Sequence, residues 1–85
     1  MKFIFTKYAK KQWGKLSPQD RERVGEKLVF LGASENFSAH LKKVHHLEPA
    51  THRLRVGNYR LLLECDFSLD ESLVLKIGHR REVYR

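Results

Sequence analysis

Residues 52–66 read His-Arg-Leu-Arg-Val-Gly-Asn-Tyr-Arg-Leu-Leu-Leu-Glu-Cys-Asp, and this stretch decides the fold. Gly57-Asn58 lies between two runs of strand-forming residues. Both residues tolerate the positive φ that two-residue loops use, so the stretch predicts a β-hairpin. Such a loop sets Val56 opposite Tyr59, Arg55 opposite Arg60, Leu54 opposite Leu61 and Arg53 opposite Leu62. Side chains alternate between faces along a strand. Leu54, Val56, Tyr59, Leu61 and Leu63 therefore share one face, and Arg53, Arg55 and Arg60 share the other. Guanidiniums held side by side repel one another. Either the basic face is simply solvated, or it is kept to grip an anion with several oxygens.

Working outward, the chain has 85 residues, which is one domain with one small core. Hydrophobic residues make up 41%, enough to fold without staples, and no run approaches transmembrane length. The opening Met-Lys-Phe-Ile-Phe-Thr-Lys has too short an apolar run for a secretory signal. A single cysteine, Cys65, cannot form an internal disulfide, which fits a reducing cytoplasm. The net charge of +7 on so small a domain favours a polyanionic partner: nucleic acid, an acidic protein or a membrane surface.

Before the hairpin, residues 2–5 alternate and predict a first strand. Thr6 can cap a helix over residues 7–16, with Ala9, Trp13 and Leu16 on one side. Ser17-Pro18-Gln19-Asp20 starts a second helix with a strong cap, proline at the first position and an early acid. Val24, Leu28 and Leu31 form its buried stripe, and Gly32 is its stop. Phe37, Leu41, Val44 and Leu47 are three or four apart, which predicts a helical turn or two ending at Glu48-Pro49. Lys42-Lys43 adds positive charge there. His45 and His46 are adjacent, but with His40 and His52 they show no ligand spacing, so neither metal nor other cofactor is expected. Residues 73–78 form the last strand, and His79-Arg80-Arg81-Glu82-Val83-Tyr84-Arg85 closes the chain.

The expected order is βααβββ, an α+β fold with a two-helix hairpin packed on a small, largely antiparallel sheet. If Leu73, Leu75 and Ile77 face the helices, Lys76 and Arg80 join the arginine face. His79 then has the opposite parity, unless twist or a bulge at the strand end redirects it.

The βααβββ order, the segment Arg-Leu-Arg-Val-Gly-Asn-Tyr-Arg and the ending Ile-Gly-His-Arg-Arg-Glu-Val-Tyr together resemble the RelE/ParE toxin superfamily, and more closely its RelE-like branch. The resemblance spans essentially the whole chain as a single RelE-like domain. It implies the toxin of a type II toxin–antitoxin system, acting in the cytoplasm as a ribosome-dependent mRNA interferase that needs no metal. It also implies a cognate antitoxin whose acidic segment wraps the toxin in a hetero-oligomer, and no membrane partner.

Residue by residue, Arg53 and Arg55 match strand positions where relatives often carry lysine, and Arg60 matches the arginine of a Tyr-Arg pair. Arg80 matches the arginine after the last strand. Tyr84 matches a tyrosine that stacks on RNA and, in some members, assists proton transfer. His79 stands where relatives carry histidine or lysine. The departure at 53 and 55 matters, because arginine does not readily deprotonate and is a poor general base. A carboxylate used as base in one sub-branch has no clear counterpart here, although Glu48 is nearby.

The residue types suit metal-free RNA cleavage. A ribose 2′-OH attacks the adjacent phosphate, leaving a 2′,3′-cyclic phosphate and a 5′-OH. A base must take one proton, an acid must supply another, and cations must stabilise the phosphorane. Arg55, Arg60 and Arg80 suit the cation role, with Arg53, Lys76 and Arg81 as further phosphate contacts. Tyr84 is the preferred base or stacking platform and His79 the runner-up, a histidine having the more suitable intrinsic pKa. A ParE-like gyrase poison and a non-catalytic basic binding module of the same fold remain open alternatives.

Overall fold

The computed structural model describes residues 1–84, so Arg85 lies outside the described residues. The hairpin forms in the expected register, with Val56 across from Tyr59, Arg55 from Arg60, Leu54 from Leu61 and Arg53 from Leu62. Leu54, Val56, Leu61 and Leu63 are buried, while Arg55 is exposed and Arg53 and Arg60 are half-exposed. The turn differs from expectation in one respect. Gly57 has φ +59°, and Asn58 is not among the positive-φ residues. Positive φ at the first central position alone is the type II′ pattern, so glycine is needed there and asparagine is not.

The elements in order are β1 (Lys2–Phe5), α1 (Lys7–Lys15), α2 (Pro18–Gly32), a 3₁₀ turn (Phe37–His40), β2 (Lys42–Lys43), β3 (His52–Val56), β4 (Tyr59–Asp66) and β5 (Glu71–His79). The sheet order is β1-β5-β4-β3-β2, with β1 parallel to β5 and the remaining pairs antiparallel. The two helices start as their sequences dictate. The Thr6 hydroxyl accepts the Ala9 amide hydrogen at 3.1 Å, and the Ser17 hydroxyl accepts that of Asp20 at 3.1 Å. Each bond satisfies an amide that the first helical turn leaves without a partner. Ala9, Val24, Leu28 and Leu31 then bury against Leu54, Leu61, Leu63, Val74 and Ile77. The Tyr59 hydroxyl donates to Asp20 at 2.9 Å, which ties the hairpin to the start of α2. That bond is the first cause of the tyrosine's raised pKa, followed by burial.

Two expectations need correction. The segment after α2 is not one or two helical turns: it is a 3₁₀ turn followed by β2, whose Lys42 and Lys43 pair with Arg53 and His52. The order is therefore βααββββ, with five strands. The three-to-four spacing arises because its apolar residues serve two different cores. Phe37 and Leu41 join the main core, whereas Val44 and Leu47 cross to the other face of the sheet. There they pack with Ala50, Leu62, Leu75 and Val83. Parity along β5 also shifts. Leu62 pairs with Lys76 but Leu63 pairs with Val74, so Leu75 is the extra residue of a bulge. Val74 and Ile77 face the helices, Leu75 joins the smaller cluster, and Leu73 is 36% exposed. Lys76 keeps its expected register with the arginine face.

Among the described residues, no helix is long and apolar enough to cross a membrane.

The bulge has a measurable consequence. Val74→Ala should cost roughly 1.5–3 kcal/mol, the worth of a fully buried valine. Leu73→Ala should stay within about 0.5 kcal/mol, as surface substitutions do. Urea denaturation of both variants checks this, and the reverse ranking would mean that β5 has no bulge.

His52 makes a second test. It is buried, with Nδ1 2.9 Å from the Thr51 hydroxyl and its ring edge-on to Phe67. Burial first, and Lys43 second, hold its pKa below the usual 6.5. The unfolded chain therefore binds this proton more readily than the folded one. The contribution is complete above the ordinary histidine pKa and is lost as pH falls from there through the folded value. His52→Gln should flatten the stability profile between about pH 7 and 5. A urea-midpoint series across that range tests it, and an unchanged acid slope would be the contrary result.

Candidate functional site

The face of the sheet away from the helices is built in cross-strand rows. One row runs Lys42, Arg53, Leu62, Lys76 across β2 to β5, and the next runs Arg55, Arg60, Gly78. Lys42, Arg53, Arg55 and Arg60 line a depression of about 330 Å³ whose other wall includes His40 and Leu41. Among the described residues, no carboxylate forms an ion pair with Arg53, Arg55, Arg60 or Arg80. Arg60 instead donates to the Gly57 and Tyr59 carbonyl oxygens at 3.0 and 2.9 Å. Its pKa is pushed down by burial first and by Arg55, Arg53 and Arg80, while Tyr84 acts in the opposite sense. The cluster is thus crowded with like charge and has no acidic ion-pair partner among the described residues.

The chain end is folded onto this face. Glu82 and Val83 both donate their amide hydrogens to the His79 carbonyl, at 2.8 and 3.0 Å, closing a turn over residues 79–83. The Arg80 amide donates to the Asn58 carbonyl at 2.8 Å, which joins this turn to the hairpin tip. Val83, 1% exposed, packs beside Leu62 and Ala50. It fits because position 78 has no side chain: a Cβ on Gly78 would lie 3.3 Å from Val83 Cβ. Val83 in turn sets the position of Tyr84, whose hydroxyl accepts from Arg53 Nη1 at 2.9 Å and whose side chain is 41% exposed.

The sequence-predicted residues divide into two groups. Arg53, Arg55, Arg60, Arg80 and Tyr84 come together, as their contacts and their joint influence on Arg60 show. His79 does not join them. It pairs with Tyr59 and sets its ring edge-on to the Tyr59 ring at 6.1 Å, on the helix side of the strand end. Lys76 lines a groove beside α1 together with His79. Arg81 is exposed on the terminal turn, and Glu48 is exposed in the loop after β2. His45 and His46 are likewise exposed in that loop. The sequence expects Lys42 and Lys43 only as added positive charge on a helical segment; their pairing on a strand, Lys42 beside Arg53, is new. The run Leu41-Lys42-Lys43-Val44 does not alternate, so it carries no strand signal of its own.

Residues 3–84 match the model of the ParE toxin of the type II toxin–antitoxin system, parDE. The chain belongs to this family. It is a toxin of the RelE/ParE superfamily, and solved structures agree. It is similar to a chain of the RelBE2 toxin–antitoxin complex of Mycobacterium tuberculosis, with 28% identity, 93% of this chain and 96% of that chain covered, and a TM-score of 0.77. It is similar to the isolated E. coli RelE toxin at 29% identity, with 98% and 89% covered and a TM-score of 0.67. A chain of the intact E. coli RelBE complex matches at 26% identity, with 92% and 94% covered and a TM-score of 0.68. No match was found among curated proteins.

The toxin's docked end can be tested through its glycine. Gly78→Val should displace Val83 and release Tyr84 from Arg53. Amide exchange at Glu82 and Val83 should then rise sharply, while exchange in β4 stays slow. Unchanged protection at Val83 would show that the turn does not depend on the gap at position 78.

Proposed function

We propose that this toxin is a metal-independent endoribonuclease that cuts mRNA on the ribosome and so inhibits translation in the cytoplasm. One observation carries the reading: Arg53 bonds the Tyr84 hydroxyl, and Arg53, Arg55, Arg80 and Tyr84 all lie near enough to act on Arg60, with no acidic ion-pair partner among the described residues. The superfamily supports it, since the RelE-like branch has this activity by the resemblance described above. In this mechanism Tyr84 acts as its phenolate and takes the proton of the ribose 2′-OH, becoming the neutral phenol. The Arg53 guanidinium, already bonded to the Tyr84 oxygen, holds that atom in place for the transfer. The 2′ oxygen bonds to phosphorus, and the bond from phosphorus to the 5′ oxygen breaks. That oxygen leaves with a proton from solvent. Arg55, Arg60 and Arg80 neutralise the charge gathering on the phosphorane. His79, with its ring against Tyr59, has no part in this scheme.

The same face suits the antitoxin. The similar M. tuberculosis and E. coli chains come from toxin–antitoxin complexes, and an acidic segment ordering across these arginines would block the site. A gyrase-inhibiting toxin is the second reading, favoured by the match to the ParE family model. It requires a binding surface and no arginine–tyrosine constellation.

Single-turnover cleavage on programmed ribosomes, with binding measured separately, tests the assignment. Tyr84→Phe should slow cleavage by about 10²–10⁴-fold with little change in binding, the usual loss of a general acid–base group. Arg60→Ala should abolish growth inhibition while circular dichroism shows an intact fold. His79→Gln should cleave at close to the wild-type rate. Full activity in Tyr84→Phe, or full toxicity in Arg60→Ala, would contradict the mechanism.

A further inference from the structure

A second basic surface lies on the opposite side of the terminal turn. β1 pairs with β5 only from Glu71 to Val74, so among the described residues the rest of β5 has no strand neighbour on that side. α1 runs along this edge, and Gln12 Oε1 accepts the Ile77 amide hydrogen at 2.6 Å in place of a ladder bond. Between helix and strand is a groove of about 660 Å³ with an apolar floor at Leu16 and Ile77. Lys11, Lys15 and Lys76 line it, with Glu82 as its one carboxylate among the described residues. The helix itself carries Lys7, Lys10, Lys11 and Lys15 and no acidic residue. Lys7, Lys11 and Lys15 are four apart and stand above one another, an arrangement that by itself destabilises a helix. Tyr8, 56% exposed, opens its ring into the same groove.

We infer that this groove is a second RNA-binding site, taking a ribose-phosphate backbone along Lys11 and Lys15 with a base stacked on Tyr8. The inference rests on the reading that RNA is the toxin's target. Lysines tracking a backbone beside an exposed ring over an apolar floor are the features that hold single-stranded RNA without regard to sequence. An acidic peptide would use the lysines and leave the ring idle. The two basic surfaces meet at the terminal turn: His79 faces the groove, Arg80 and Arg81 are exposed on the turn, and Tyr84 faces the arginine cluster. One strand of RNA crossing that turn, or one folded RNA, would touch both.

The chain carrying Lys11→Gln with Lys15→Gln, and separately Tyr8→Ala, tests this. The probes are labelled single-stranded RNAs of roughly 12 and roughly 4 nucleotides, vacant ribosomes and a polyglutamate peptide, each titrated over a range of salt. The lysine pair should weaken binding of the long RNA or of ribosomes by roughly tenfold, and reduce the salt slope by about 1.4 for two lost phosphate contacts. Tyr8→Ala should weaken it about fivefold or more with the slope unchanged. The short RNA, held by the arginine face alone, should bind as before. A loss on the long RNA marks the substrate strand, and a loss on ribosomes alone marks structured ribosomal RNA; both support the site. Unchanged binding of both, or a loss confined to polyglutamate, overturns it. Arg60→Ala run in parallel separates the readings: if it keeps full affinity for the short RNA, the arginine-face assignment fails whatever the groove variants do.

Discussion

The structure depends on the register of one hairpin. Gly57 reaches φ +59° at no steric cost, and the two-residue loop it permits places Leu54 across from Leu61 and Arg55 across from Arg60. A slip by one residue would send every side chain to the opposite face. The arginines would then be driven into the helices and the leucines into solvent. Burial of Leu54, Leu61 and Leu63 therefore does two things at once. It supplies core stability, at about 1.5–3 kcal/mol per fully buried side chain, and it holds the guanidiniums in a fixed row.

That row is maintained against its own repulsion. Arg53, Arg55 and Arg80 all disfavour the charge on Arg60, whose hydrogen bonds run to backbone carbonyls and not to a carboxylate. A partner bearing negative charge would relieve the repulsion, whether phosphate or an acidic protein segment. Either partner would occupy the same row of guanidiniums. The terminal turn adds a hydroxyl to the row: Val83 settles over Gly78, and Tyr84 reaches Arg53. Glycine at that place serves the packing of Val83 and, through it, the position of Tyr84.

Much of this was legible in the sequence, because local chemistry agrees with the fold. The hairpin pairs, the Thr6 and Ser17 caps, the stripe Val24-Leu28-Leu31 and the family resemblance all held. Three features were not legible, each because long-range contacts set the outcome. β2 has two residues and exists only because β3 offers it an edge, so Lys42 could not be placed beside Arg53. The bulge at Leu75 is invisible in a run of alternating apolar residues, where either parity buries leucines. The smaller cluster joins Val44 and Leu47 to Val83, which are far apart in the chain, so its spacing imitates a helix. At the site, the arginines of β3 and β4 share the face that strand parity gives them. His79, at a strand end, stayed on the Tyr59 side that its parity gave it, which separates it from Tyr84.

The central claim is that a metal-free arginine–tyrosine face performs transesterification on mRNA. Mapping a reporter transcript by primer extension during induction, with analysis of the cut ends, addresses it most directly. The account predicts breaks at codon-spaced positions within translated sequence, ending in 2′,3′-cyclic phosphate and 5′-hydroxyl groups. Intact mRNA accompanied by DNA breaks would contradict it and assign the toxin to gyrase.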